Sequence, residues 1–286
     1  MVASVRQLRR RIRSVENTAK ITQAMSMIAA SKMRRTQEAA LRGRPYADNL
    51  DALLADLAAQ PHDEDNLHPL LRTREVQRVE VILITPDRGL TGGLNANIIR
   101  AATQFVTPYG DNASVVAVGR KGRDFMVRYG RNVRAVFTDI SDRPPITDVT
   151  PIARLAVDAY ENEEVDAVHL VYAQFVNTTV QRPTVRQLLP VIPAELRPQD
   201  AVGYIYEPFA EDVLARLLPR FIEAEIYHAL LEGIASEQSA RMVAMRSATD
   251  AANEMVDDLT LVMNKARQES ITTELLDIVS GAAAVE

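Results

Sequence analysis

The chain has 286 residues, a hydrophobic content of 47%, an aromatic content of 5% with no Trp, and a formal net charge of −5. That length holds one sizeable domain plus extended helices, and the composition favours helix-rich packing on Ala, Leu, Val and Met over a sheet sandwich. Without any Cys, neither a disulfide framework nor a thiolate metal site can form. The four His (His62, His68, His169 and His228) have no zinc-ligand spacing. The chain opens on no apolar leader and has no apolar run of about 18 residues, so it is expected in the cytosol with no membrane insertion.

In chain order, the first segment is a long helix. Small or apolar residues fall at Val5, Leu8, Ile12, Val15, Ala19, Thr22, Ser26, Ala29, Met33, Thr36 and Ala40. Those steps alternate three and four, the seam of a left-handed coiled coil. Gly43-Arg44-Pro45 is expected to interrupt the helix, which resumes from Leu50 to Ala58. The polar, acidic stretch from Gln60 to His68 then reads as a linker.

An α/β region follows. Val76 to Thr85 is a buried strand, Pro86 to Gly93 a turn, and Leu94 to Phe105 a helix. A second strand (Ala113 to Gly119), a helix (Arg120 to Tyr129), a third strand (Val133 to Phe137) and a third helix (Asp148 to Tyr160) come next. Val165 to Val176 and Thr179 to Val191 form a hairpin turning at Asn177-Thr178. Alternating strand and helix predicts a mostly parallel sheet with helices on its faces, ended by an antiparallel hairpin.

The loop Asp87-Arg-Gly-Leu-Thr-Gly-Gly-Leu-Asn95 is glycine-rich and opens a helix, as a phosphate-binding loop does. Its spacing is neither GxGxxG nor GxxxxGK[ST]. A tight turn with positive φ at Gly89 or Gly92 explains the glycines better. Elsewhere no nucleophile–base pair or metal cluster stands out. Asp257-Asp258 reads as a solvated helix face, and Met25, Met27, Met33, Met242, Met245, Met255 and Met263 read as core filler.

The last segment is one helix of roughly 65 residues from Pro219 onward, about 95–100 Å long. It repeats the three-four spacing at Met242, Met245, Thr249, Ala252, Val256, Leu259, Met263 and Ala266. The first helix leads into the middle of the chain and the last leads out, so the pair is expected to run antiparallel. The last helix is the longer, and its end (Ile271, Leu275, Leu276, Ile278, Val279, Ala282 to Val285) reads as apolar on every side. Such an end must be buried in other chains. Residues 1–44 carry a net charge of +9 and residues 236–286 one of −5. Opposite charge suits pairing, though exposed pairs contribute little. The basic surplus points to an acidic protein surface; nucleic acid is disfavoured by the lack of aromatics before Tyr46 and the acidic whole.

Three stretches carry a resemblance: ENTAKITQAMSMIAASKMRR (16–35), TPDRGLTGGLNANI (85–98) and SEQSARMVAMRSATDAANEMVDDLTLVMNKARQESITTELLDIVSGAAA (236–284). Together they resemble the gamma subunits of bacterial F-type (F1Fo) ATP synthase, in the right order and over the whole length. The fold class is α/β: an antiparallel coiled coil of long N- and C-terminal helices plus a central Rossmann-like α/β domain with a mostly parallel sheet. The segments are a first helix (1–59), a linker (60–75), the α/β foot (76–200) and the last helix (201–286). The resemblance implies a noncatalytic central-stalk rotor, without cofactor, peripheral on the cytoplasmic side of the cell membrane. Its partners would be the alpha and beta subunits of the F1 hexamer, the epsilon subunit and the c-ring of Fo, and it would couple proton flow to ATP synthesis and hydrolysis at the catalytic beta subunits. It places Met25, Arg100, Arg267, Gln268, Thr272 and Glu274 against the catalytic subunits, with Arg100 near the end of its helix, and Tyr204, Tyr206 and Glu207 against the membrane ring and small stalk subunit. Two other readings are a nucleotide-using enzyme built on the α/β domain and a free-standing coiled-coil adaptor. The bare apolar end argues against the adaptor, and nucleotide titration discriminates the enzyme.

Overall fold

The structure, a computed structural model, describes residues 4–58, 68–192 and 210–283. Helix α1 (Val5–Ala58) spans 54 residues and helix α5 (Ala210–Ala283) spans 74. The expected interruption at Gly43-Arg44-Pro45 does not occur: α1 is helical throughout. A proline removes one i→i−4 hydrogen bond and crowds one carbonyl, a cost confined to a single turn. Leu50, Leu54 and Leu57 are buried beyond it and anchor the following turns. Pro219 likewise sits inside α5 and not in its first turn. Leu218 and Ile222 on either side of it are fully buried, so packing holds the helix through the defect.

Between these helices in the chain come β1 (Val79–Ile84), α2 (Leu94–Val106), β2 (Ala113–Val118), α3 (Arg120–Arg128), β3 (Asn132–Phe137), α4 (Thr150–Glu161), β4 (Ala167–Phe175) and β5 (Gln181–Leu189). They form one five-stranded sheet in the order β3-β2-β1-β4-β5. The first four strands are parallel, and β5 returns antiparallel to β4. The expected mixed sheet and its closing hairpin are both present. All six residues of β1 are buried, as a central parallel strand covered on both faces must be.

The two faces carry separate cores. On one, Ile82, Ile84 and Leu170 pack with α4 and with Leu218, Ile222, Ile226 and Leu230 of α5, joined by Leu54 and Leu57 of α1. On the other, Val79, Val81 and Leu83 pack with Leu94, Ile98, Ala102 and Val106 of α2. Gly119 closes the β2–α3 turn at φ 103, where an added Cβ would stand 1.8 Å from the Thr85 carbonyl oxygen. Glu80 is the exception in the apolar strand. It is fully buried, reached by Arg134 Nη1 at 3.4 Å, and its Oε1 has no partner. Burial pushes its carboxyl above the usual range against the pull of Arg134.

The chain divides into two compact units: residues 1–29 with 242–286, and residues 30–241. The division falls inside both terminal helices. In the first unit α1 and α5 pair antiparallel, Thr22 Oγ1 lying 2.7 Å from Thr249 Oγ1 and the Ser26 hydroxyl donating to the Met242 carbonyl at 3.2 Å. From Val5 to Ala24 every seam position is buried or half-buried and every other position is exposed. The second unit holds the sheet, its helices and the inner parts of α1 and α5.

Two outcomes follow. Gly119→Ala should lower stability by roughly 2–4 kcal/mol in thermal denaturation, through a strained φ and a backbone clash. For Glu80 the folded carboxyl holds its proton more tightly than the unfolded one. Its contribution is therefore present at acid pH and lost as pH rises through the folded value. Glu80→Gln should remove that slope and leave the protein at least as stable at pH 7, read from melting curves across pH.

Candidate functional site

The pairing register decides which part of α5 is bare. In an antiparallel pair each step back along α1 is a step forward along α5. Seventeen residues back from Thr22 stands Val5, where α1 begins, and seventeen on from Thr249 stands Ala266. Ala266 is also the last half-buried residue of α5 among those whose burial is described: positions 267–280 are exposed without a break. Ile271, Leu275, Leu276, Ile278 and Val279 are between 48% and 67% exposed.

This end is amphipathic, and the expectation of an apolar surface on every side is corrected. At 3.6 residues per turn the five large apolar side chains share one broad arc. Glu269, Ser270, Thr273 and Asp277 form a stripe opposite it. The sequence carries those polar residues in plain view, but counting apolar ones hid their common face. Gln268 and Thr272 fall within the apolar arc, and Arg267 and Glu274 mark its border. The Thr272 hydroxyl donates back to the Gln268 carbonyl at 2.9 Å, so it is satisfied by its own helix. An exposed apolar arc of this size marks an interaction surface.

More of the paired unit is apolar and bare than the seam predicts. Ile21, Met27 and Ile28 of α1 and Met255, Leu261 and Val262 of α5 are all exposed. Met27 and Met255, read from sequence as core filler, are therefore surface residues; Met245 is buried and the other four are half-buried. Their positions off the three-four spacing were the available signal. Met25 is half-buried in the same unit. Arg6, Arg9, Arg10, Arg11, Arg13 and Lys20 are exposed, and among the described residues no ion pair joins α1 to the paired part of α5. The charge difference between the helices thus yields no ion pair there, and the basic face is exposed.

In the other unit, the Gly-rich loop turns as expected at Gly92 (φ 57), but its second positive φ belongs to Leu90 (φ 65) and not to Gly89. Asp87 accepts from the Arg120 amide through Oδ1 and from the Asp139 amide through Oδ2, each at 2.8 Å. The acidic group of the loop is thus spent on neighbouring loops, and its charge opposes a phosphate. Arg100 is exposed at the seventh position of the 13-residue α2. It is midway along that helix and not near its end, and it lies in a different unit from Arg267, Gln268, Thr272, Glu274 and Met25. Asp257 and Asp258 are both exposed, as expected. Tyr204, Tyr206 and Glu207 lie outside the described residues.

Among the described residues no group of three or more acidic, His or Cys side chains is placed to hold a metal ion. No described helix is long and apolar enough to cross a membrane.

The model of a family described as ATP synthase matches residues 4–285. A protein of Dehalococcoides mccartyi called ATP synthase gamma chain is 55% identical over 284 residues, covering 99% of this chain and 100% of its own. One of the same name from Herpetosiphon aurantiacus is 50% identical, covering 99% of each chain. Among solved structures, a chain of the Euglena gracilis mitochondrial ATP synthase in an OSCP/F1/c-ring structure gives a TM-score of 0.68 at 18% identity, covering 98% of this chain and 94% of that one. A chain of the Tetrahymena thermophila mitochondrial ATP synthase central stalk and c-ring gives 0.62 at 24% identity, covering 80% and 99%. Identities this low establish likeness of fold.

The register can be checked directly. Thr22→Cys with Thr249→Cys should oxidise to an intrachain disulfide, seen as a mobility shift on nonreducing gels, because the two hydroxyls already touch. Thr22→Cys with Ala266→Cys should not.

Proposed function

The chain belongs to the ATP synthase gamma-chain family, and from that membership we propose that it is the noncatalytic central rotor of a proton-translocating complex. The observation that carries this reading is the exposed arc of α5 beyond Ala266, which the described residues leave uncovered. A ring of alternating alpha and beta subunits supplies the sleeve. The epsilon subunit and the membrane c-ring engage the α/β domain, where Tyr204, Tyr206 and Glu207 are the proposed contacts. The protein sits peripherally on the cytoplasmic side of the cell membrane.

The mechanism rests on unequal contact. A partner shifts a conformational equilibrium only by binding its states differently. The end of α5 has an apolar arc on one side and an acidic, hydroxyl-bearing stripe on the other. Turned within three equivalent catalytic sites, it offers each a different surface, and one full turn passes every site through every contact. Arg267 and Gln268 meet the catalytic subunits at the last paired turn, with Thr272 and Glu274 beyond them. Met25 on α1 and Arg100 on α2 make further contacts. Proton flow turns the rotor for synthesis, and ATP hydrolysis turns it in reverse. ATP chemistry stays on the beta subunits.

Arg267→Ala with Gln268→Ala in the reconstituted complex should lower coupled ATP synthesis about tenfold, the factor set by roughly 1.4 kcal/mol of lost differential contact. Unchanged synthesis would remove those two residues from the mechanism. Titration of the isolated chain with ATP, ADP and NAD should show no binding heat; saturable binding would favour an enzymatic role for the α/β domain.

A further inference from the structure

The stretch Ser236–Arg241 of α5 is bound to the α/β domain in a way that apolar packing does not explain. The Ser236 hydroxyl donates to the Ala173 carbonyl at 2.9 Å, and the Ser239 hydroxyl to the Thr178 carbonyl at 2.6 Å. Gln238 Nε2 donates to Asp142 Oδ1 at 3.2 Å, and Arg241 Nη2 to the Gly89 carbonyl at 3.4 Å. Gln238 is 2% exposed and both serines are fully buried. Gly89 follows β1, Asp142 follows β3 and Thr178 follows β4, so these partners stand at the C-terminal edge of the parallel sheet.

Asp142 has a second partner. Lys32 Nζ of α1 lies 2.6 Å from its Oδ2. Each carboxylate oxygen is therefore held by a different terminal helix. The segment bearing Asp142 is fixed again where the Tyr227 hydroxyl of α5 donates to the Pro144 carbonyl at 3.1 Å. Behind it, Asp87 ties the β1–α2 loop to Asp139. Between Ala30 and Ala40, Lys32 is the one described α1 residue with a hydrogen bond or ion pair beyond its own helix.

We propose that Asp142, gripped by Lys32 of α1 and Gln238 of α5, is the torsional clamp that makes the two helices turn together with the α/β domain. It is a positioning residue and touches no substrate. Apolar contacts resist separation but are non-directional. Hydrogen bonds weaken steeply with angle and so resist twisting. The Lys32 and Asp142 side chains are 40% and 42% exposed, so their pairing adds little to stability, and losing it leaves the fold intact. Its consequence is stiffness.

This inference rests on the rotor reading and is tested in the assembled membrane complex. The variants are Asp142→Ala, Lys32→Gln and the exchange Lys32→Asp with Asp142→Lys. Two quantities are read: protons pumped per ATP hydrolysed in inverted vesicles, and the angular fluctuation of a bead on the α/β domain with the catalytic ring fixed. Lys32→Gln should keep hydrolysis and lower pumping per ATP about two- to fivefold, the factor expected of a half-exposed ion pair. Asp142→Ala, which also strands Gln238, should do more. The exchange should restore pumping towards the unsubstituted level. Both single variants should widen the bead's fluctuation, which a purely structural role would not. Wild-type pumping and fluctuation in Lys32→Gln and Asp142→Ala would overturn the clamp and leave the rotor reading standing. Failure of Asp142→Ala to assemble passes the decision to Lys32→Gln, and failure of both overturns a role described as dispensable for folding. Absence of ATP-driven rotation in the unsubstituted complex would sink the rotor reading itself.

Discussion

The contact between Thr22 and Thr249 fixes what the rest of the paired unit can do. Two hydroxyls 2.7 Å apart set the stagger of α1 on α5, and the stagger sets where the shorter helix runs out. The small side chains around it, Ala19, Ser26 and Ala252, keep the seam closed without deep interlocking knobs. A one-turn slip would unpair the two threonines and change which residues meet across the seam. The bare end of α5 is thus a consequence of register, and its length is as determined as any packed core. The cost of exposing five large apolar residues is tolerable only for a chain whose folded life is spent inside a partner.

In the other unit, apolar and polar contacts act on different motions. Leu218, Ile222, Ile226 and Leu230 hold α5 against the sheet through area alone, which sets how strongly it is held and not at what angle. Ser236 to Arg241 take over where α5 passes the loops that follow β1, β3 and β4. There the sheet presents carbonyls and a carboxylate, and α5 answers with hydroxyls, an amide and a guanidinium. Glu237 accepts from Arg241 at 2.6 Å while burial raises its carboxyl above the usual range. A buried polar network of this kind is costly when incomplete and specific when complete.

How much of this was legible in the sequence depends on the kind of regularity involved. The three-four spacing located every seam residue of α1 because the spacing is the geometry. The strand expected over Val76 to Thr85 is present at Val79–Ile84, its apolar run covered on both faces. Pro45 misled because its local penalty is real, yet tertiary packing of Leu50, Leu54 and Leu57 outweighs it. Met27 and Met255 misled because composition was read without position. The charge of the first helix stays exposed, and among the described residues its expected use against the paired part of α5 yields no ion pair. Asp142 was invisible: it stands in an irregular connection, and both of its partners are more than ninety residues away in sequence.

The amphipathic character of the free end changes what the apolar arc means. A helix apolar on all sides would be held alike in every orientation, and turning it would alter no site's energy. Glu269, Thr273 and Asp277 break that equivalence. They make some orientations in an apolar sleeve unfavourable unless polar or basic groups face them, since burying an unpaired carboxylate is among the larger penalties a protein meets. The same acidic stripe that weakens burial therefore supplies the angular dependence that a rotor needs. Arg267 and Glu274, of opposite charge, stand at the border between arc and stripe.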